Sequence, residues 1–139
     1  MEREDRGGAP EGPEGEAVAL VRRFLAAMEA RDLAAARACM AEGAAMNFPG
    51  GAGMARLEDL LAWARPRYRR VAKSYEGFEA LDGAGGQVVW CRGTLSGEWP
   101  DGAPFAGIRF IDRFEVRAGL IRRQDVWNDM GEAMAGRGA

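Results

Sequence analysis

The sequence predicts an α+β domain in which helices precede an antiparallel sheet. Between residues 17 and 64, apolar residues recur at intervals of three and four, which is the spacing of one helix face. From residue 71 to residue 129, four long extended stretches alternate with short segments rich in Gly, Asp and Pro, which is typical of an antiparallel meander. Because helices and strands are segregated along the chain and no internal repeat is visible, the pattern indicates the α+β class.

Three helices are predicted. The first begins at Ala17 and carries an apolar stripe made of Val18, Val21, Phe24, Leu25 and Met28. Asp32 stands where the N-cap of a short second helix is expected, and Gly43 is expected to end that helix. The third helix covers residues 57–64 and is expected to end or kink at Pro66.

The remaining predicted elements are strands. A brief strand over residues 44–48 is followed by a glycine-rich loop that begins at Pro49. Four longer strands are predicted over residues 71–81, 87–99, 105–117 and 120–129. The segments between them contain turn-forming residues, so neighbouring strands are expected to be joined by tight connections.

Length and composition limit the class of protein. A chain of 139 residues is expected to form one domain whose core needs neither a metal nor a disulfide. We expect residues 1–15 to be a disordered tail, residues 16–132 to be the domain and residues 133–139 to be a short C-terminal tail. No apolar run approaches the roughly 20 residues that span a bilayer, and the charged N-terminus lacks the apolar core of a signal peptide. We therefore expect a cytoplasmic protein.

The chain contains no histidine, which excludes the usual catalytic triads, imidazole bases and histidine metal sites. Proton transfer would fall to carboxylates, tyrosine, cysteine or the only lysine, Lys73. Cys39 and Cys91 lie among apolar residues and are expected to be buried thiols rather than a disulfide or a metal site. A net charge of −2 argues against nucleic-acid binding, which requires clustered excess cations. We expect neither a metal nor a cofactor.

Four motifs carry a family resemblance. They are Asn47-Phe48-Pro49, Gly102-Ala103-Pro104-Phe105, the stretch 112–121 and Val126-Trp127-Asn128-Asp129. On these motifs, residues 16–132 resemble the nuclear-transport-factor-two-like superfamily, which includes the SnoaL-like polyketide cyclases. The resemblance implies a cone-shaped α+β barrel, in which three N-terminal helices pack on a curved antiparallel sheet and enclose a pocket. It also implies a homodimer through the outer face of the sheet. The superfamily contains enzymes, carriers and association modules, so the fold leaves the function open.

Ketosteroid isomerases share this architecture but not the chemistry of the present chain. Phe24 stands where that family uses a tyrosine, and Phe48 and Arg109 stand where it uses two aspartates. Phenylalanine has no ionisable group and arginine stays cationic, so isomerase activity of that kind is not expected.

Limonene epoxide hydrolases are matched by half of their catalytic set. Arg92, Asp125 and Asn47 match the central arginine, one aspartate and the water-holding asparagine of that family. Thr94 and Ala45 replace the second aspartate and the tyrosine. Because threonine cannot act as the missing general acid at neutral pH, this activity would require another carboxylate.

A polyketide-cyclase reaction needs only one carboxylate base and a group that stabilises the enolate. The resemblance places Asp125, Arg92 and Arg109 on the concave face of the sheet, so these three are the candidate catalytic residues. The candidate substrate-binding residues are Asn47, Trp90, Thr94, Phe105, Ile111 and Trp127. Asp112 is expected on the opposite face, in a structural ion pair with an arginine.

The leading hypothesis is a SnoaL-like pocket protein for a hydrophobic or anionic organic molecule. If it is an enzyme, it is a cofactor-free lyase, isomerase or hydrolase. The alternative is a non-catalytic ligand-binding or dimeric association module whose cavity is filled by its own side chains. In that case Asp125 and the two arginines form a structural ion-pair network. The expected partners are a small organic molecule and a second copy of the chain, with neither nucleic acid nor membrane.

Overall fold

The computed structural model describes residues 15–137, so residues 1–14 of the expected tail lie outside the described part. The elements in chain order are α1 (Glu16–Glu29), α2 (Leu33–Ala38), β1 (Met40–Phe48), β2 (Ala52–Met54), α3 (Leu57–Ala64), β3 (Arg70–Gly83), β4 (Gly86–Glu98), β5 (Pro104–Arg117), β6 (Leu120–Asn128) and α4 (Met130–Arg137). The strands form one sheet in the order β2-β1-β6-β5-β4-β3, with antiparallel neighbours except for β1 and β6. The predicted α+β fold, with three N-terminal helices against a curved sheet, is confirmed.

The second helix begins as predicted and ends earlier. Asp32 is its N-cap, because its side chain accepts the backbone N–H of Ala35 at 3.1 Å. The helix ends well before Gly43, since the chain enters β1 at Met40. The brief strand predicted over residues 44–48 is therefore the end of a longer strand.

The long strands are bent by β-bulges. The register shifts between Tyr75 and Gly77 of β3 and between Leu95 and Gly97 of β4. A Cβ atom at Gly97 would collide with the carbonyl oxygen of Arg70, so glycine is required for β3 to approach β4 this closely. The bulges curve the sheet, and its concave face is the one that the helices cover.

The core fills the space between α1 and the concave face. Phe24 of α1 and Phe114 of β5 are 1% and 0% exposed, and their rings meet edge to face with centroids 6.1 Å apart. Burying an aromatic side chain of this size contributes on the order of 2–3 kcal/mol to folding. The contact therefore fixes α1 on the sheet.

A fourth helix ends the described chain. Asn128 Oδ1 accepts the backbone N–H of Met130 at 3.0 Å at the start of α4, and the Met130 side chain is buried in the core. Residues 133–137, which the sequence placed in a C-terminal tail, continue this helix. Within residues 15–137, no helix is both long enough and apolar enough to cross a membrane.

Candidate functional site

A cavity of about 710 Å³ lies between the concave face and helices α1, α3 and α4. Its walls are mainly apolar and include Phe24, Leu60, Trp63, Leu95, Phe110 and Val126. The volume falls in the range of ~300–1,000 Å³ that is usual for sites of small organic molecules. Such sites combine apolar walls with a few polar groups that orient the ligand.

Lys73 is one of the polar residues that line the cavity wall. β3 places it there, at the position that pairs with Leu95 of β4. Lys73 Nζ lies 2.6 Å from Asp112 Oδ2 and 4.7 Å from the centre of the Phe110 ring. The Lys73 side chain is 19% exposed and that of Asp112 is fully buried, so the pair is enclosed with only the lysine reaching the cavity.

The carboxyl group of Asp112 lies in a strongly desolvated position. Burial raises its pKa above the usual aspartate range, and the Lys73 ammonium opposes that shift. Asp112 Oδ1 has no hydrogen-bond partner among the described residues, and the same holds for Oε1 of the neighbouring Gln124.

Two further polar side chains line the cavity near Lys73. Glu29 of α1 accepts the backbone N–H of Lys73 at 3.2 Å, and it is the only carboxylate on this wall among residues 15–137. Tyr68 follows α3, and burial raises the pKa of its phenol despite the nearby positive charges of Arg31, Lys73 and Arg67. Tyr68 is therefore protonated at neutral pH and can donate a hydrogen bond.

None of the nine residues selected from the sequence lines this cavity. The placement of Asp125, Arg92 and Arg109 on the concave face is wrong, because their sequence neighbours occupy that face. Gln124 and Val126, which flank Asp125, line the cavity, and so does Phe110 beside Arg109. A period of two identifies residues that share a face, but it does not identify which face is concave, and an error of one residue exchanges the faces.

The three candidate catalytic residues do not form one group. Arg92 forms an ion pair with Glu76 at 2.6 Å, and Arg109 forms one with Asp129 at 2.6 Å. Asp125 instead lies 2.9 Å from Arg123. The catalytic roles of Asp125, Arg92 and Arg109 stay predictions, but their position opposite the cavity removes the geometric reason for them.

Asp125 and Asn47 do come together, because β1 and β6 are neighbours in the sheet. Asn47 Nδ2 donates to Asp125 Oδ1 at 3.0 Å. Partial burial would raise the pKa of Asp125, but the hydrogen bonds from Arg123 and Asn47 outweigh it and lower that pKa below the usual value. Asp125 is therefore a well-stabilised carboxylate and a weak base.

The candidate binding residues also lie away from the cavity. Trp90 and Trp127 stack on the convex face with ring centroids 6.3 Å apart, and Ile111 pairs with Trp127 across the strands. Thr94 lies on the same face, opposite Arg109. The sixth residue, Phe105, is buried, and its ring centre lies 4.6 Å from that of Trp99. Their roles in binding a substrate likewise stay predictions.

Sequence reasoning missed the Lys73–Asp112 pair. Asp112 was expected opposite the pocket beside an arginine, whereas the structure pairs it with lysine on the cavity side. The sequence did contain a signal for a buried aspartate. Asp112 alternates with Phe110 and Phe114, so it lies on an apolar face of its strand. Within residues 15–137, no group of three or more His, Cys, Asp or Glu side chains could hold a metal ion.

The chain belongs to the SnoaL-like domain family, whose model matches residues 21–124, more than half of its length. This confirms the resemblance to the nuclear-transport-factor-two-like superfamily. No protein of curated function matches the sequence significantly.

Solved structures with the same fold are distant in sequence. TerC, crystallised with polyporic acid, is 14% identical with a TM-score of 0.74, and the match covers 87% of this chain and 97% of TerC. A proposed SnoaL-like polyketide cyclase from Jannaschia sp. CCS1 is 17% identical with a TM-score of 0.72, and the match covers 93% and 96% of the two chains. IdmH, a proposed polyketide cyclase from Streptomyces antibioticus, is 18% identical with a TM-score of 0.70, and the match covers 90% and 100%. Likeness at these identities establishes the fold and not the reaction.

Proposed function

We propose that this protein binds a hydrophobic organic molecule in the cavity on the concave face, with an oxygen of the ligand held by Lys73. The observation that carries this proposal is an apolar cavity of about 710 Å³ with one enclosed ammonium group on its wall. A ligand carbonyl or enolate oxygen would accept a hydrogen bond from that ammonium. The match to proteins described as polyketide cyclases, and to one crystallised with polyporic acid, supports a ring-containing ligand.

The same residues support a cofactor-free proton transfer, as in a lyase or isomerase. Glu29 is the carboxylate that would remove a proton beside a ligand carbonyl, and Lys73 would stabilise the enolate oxygen that forms. Asp112 does not reach the cavity, so its role is to position Lys73. This assignment replaces Asp125 as the base, because Glu29 and Lys73 both line the cavity and Asp125 does not.

Binding is tested with methyl 2-naphthoate, a neutral two-ring ester, by isothermal titration calorimetry. Leu61 lies half-buried on the cavity wall, so Leu61→Trp fills part of the cavity and is expected to weaken binding at least tenfold. Leu120→Trp is the matched control, because Leu120 is exposed outside the cavity and the same substitution leaves the cavity unchanged. Equal binding by both variants would place the ligand elsewhere, and absence of binding to the wild type would refute the proposal.

Catalysis is tested separately, by deuterium exchange of the methyl protons of 2-acetylnaphthalene in D₂O followed by NMR. Removing a general acid or base typically lowers the rate ~10²–10⁴-fold, so Lys73→Met and Glu29→Gln should each bring exchange close to the buffer rate. Wild-type exchange no faster than in buffer would favour the non-catalytic alternative, in which the Lys73–Asp112 pair only orients a bound ligand.

The convex face is part of the same proposal, as the surface that packs against a second copy of the chain. Trp127 is 50% exposed and stacks on Trp90, and arginines and carboxylates surround this pair of rings. A patch with an aromatic centre and both signs of charge can complement its own copy across a two-fold axis. Sedimentation velocity should give a dimer that Trp127→Arg dissociates, whereas a wild-type monomer would refute this part.

A cytoplasmic location also remains part of the proposal.

A further inference from the structure

The cavity rim next to Tyr68 carries two arginines that the proposed function does not use. Arg31 follows the end of α1 and Arg67 follows the end of α3, and both line the cavity. These residues come from separate parts of the chain. We call Arg31 and Arg67 together the basic rim.

Arg67 is held in place by contacts that, among residues 15–137, leave its charge uncompensated. Its guanidinium lies 4.1 Å from the centre of the Trp63 ring, and Nη1 donates to the Trp63 carbonyl oxygen at 2.6 Å. Among residues 15–137 it forms no ion pair with a carboxylate. A guanidinium carries five N–H donors, so most of those of Arg67 are left for a ligand by the described part of the chain.

Arg31 is held by a hydrogen bond to the backbone, and its own backbone conformation is unfavourable. Its Nη1 donates to the Met28 carbonyl oxygen at 2.6 Å, and within residues 15–137 it too forms no ion pair. Its backbone φ is 60°, the left-handed conformation that favours glycine at the end of a helix. An L side chain in that conformation costs on the order of 1–2 kcal/mol. Arginine at this position is therefore unfavourable for folding, while it adds a cation to the cavity rim.

Three cationic side chains lie around Tyr68. Arg31, Arg67 and Lys73 all lie close enough to Tyr68 to stabilise its ionised form, although burial still raises its pKa. Lys73 is neutralised by Asp112, and Glu29 is the only carboxylate that lines the cavity among the described residues. The two rim arginines therefore exceed the single carboxylate, and the rim has a net positive charge.

We propose that the basic rim binds an acidic group of the ligand, so that the ligand is an elongated molecule with an apolar body and a carboxylate or a similar planar oxyanion at one end. The body lies against the apolar walls, and the oxyanion accepts hydrogen bonds from Arg31 and Arg67. Guanidinium groups suit this role because their donors match the planar geometry of a carboxylate. This inference rests on the proposed ligand-binding function and specifies the class of ligand.

The test compares 2-naphthoic acid, which is an anion at pH 7, with its neutral methyl ester, which has one more methyl group, by isothermal titration calorimetry at pH 7. The acid is expected to bind at least tenfold more tightly at low ionic strength, and the difference should shrink as salt is added. Arg31→Gln and Arg67→Gln should each reduce the ratio of acid affinity to ester affinity about threefold to tenfold. Arg65→Gln is the matched control, because Arg65 lies near Arg67 but does not line the cavity.

Each other outcome has a distinct meaning. Equal binding of acid and ester refutes the basic rim while the cavity proposal stands, and failure of both probes to bind refutes both proposals. A preference for the acid that survives in both rim variants but is lost in Lys73→Met places the oxyanion at Lys73 and also refutes the basic rim. Arg31→Gly distinguishes the effect of charge from an effect on folding, because it removes the cation and also relieves the backbone strain. It should reduce the preference for the acid over the ester as much as Arg31→Gln does.

Discussion

The two faces of the sheet use ion pairs of the same length in different surroundings. On the concave face, Lys73 and Asp112 approach to 2.6 Å with side chains 19% and 0% exposed. On the convex face, Arg92 and Glu76 also approach to 2.6 Å, but their side chains are 62% and 55% exposed. Exposed pairs contribute less than about 1 kcal/mol, whereas breaking an enclosed pair costs roughly 3–5 kcal/mol. We therefore expect burial, and not distance, to decide how much the loss of each pair affects stability.

The strongest contrast is expected between aromatic residues on the two faces. Phe114→Ala should destabilise the protein by about 3–5 kcal/mol, because it opens a void in a fully buried part of the core. Within a single copy of the chain, Trp127→Ala should cost less than about 1 kcal/mol, since half of that side chain is exposed there. Urea unfolding of both variants measures the difference. An additional loss at Trp127 that grows with protein concentration is expected from the proposed dimer interface.

Breaking the ion pair on the concave face should destabilise the protein more than breaking the ion pair on the convex face. Lys73→Met leaves Asp112 buried without its partner and should cost about 3 kcal/mol at pH 8, while Arg92→Met should cost less than about 1 kcal/mol. Burial holds the pKa of Asp112 in the folded protein above the unfolded value of about 3.9. Between these two pKa values the folded state binds more protons than the unfolded state, so lowering the pH favours folding. The penalty in Lys73→Met should therefore shrink as the pH falls toward 4. A penalty that does not change with pH would contradict the buried-carboxylate explanation.

A smaller effect is expected at Asp125. Asp125→Asn removes the ion pair with Arg123 and should cost about 1 kcal/mol at neutral pH. Because the pKa of Asp125 is lowered in the folded state, its contribution is present above the unfolded pKa of about 3.9 and is lost as the pH falls through the lower folded value. Unfolding curves of wild type and variant should therefore converge below pH 4. Curves that converge already near pH 6 would show that another group is responsible.

Most of the fold could be predicted from local patterns. The intervals of three and four gave α1 and α3, Asp32 marked the start of α2, and alternation with turn residues gave the four long strands. The end of α2 was misplaced because the apolar residues near Met40 fit a helix and a strand equally well. The fourth helix was missed because the glycine-rich C-terminus carries a weak periodic signal.

Sequence alone determined which side chains share a face, since alternation along a strand is a local property of the backbone. It grouped Asp125 with Trp127, and Arg92 with Thr94 and Trp90, and the structure keeps these groups together on one side of the sheet. Only the tertiary structure decided that α1, α3 and α4 cover the other side, which encloses Lys73 with Asp112 and leaves the arginines in solvent. The direction in which the sheet curves depends on bulges and on packing between distant segments, and neither is encoded in a period of two.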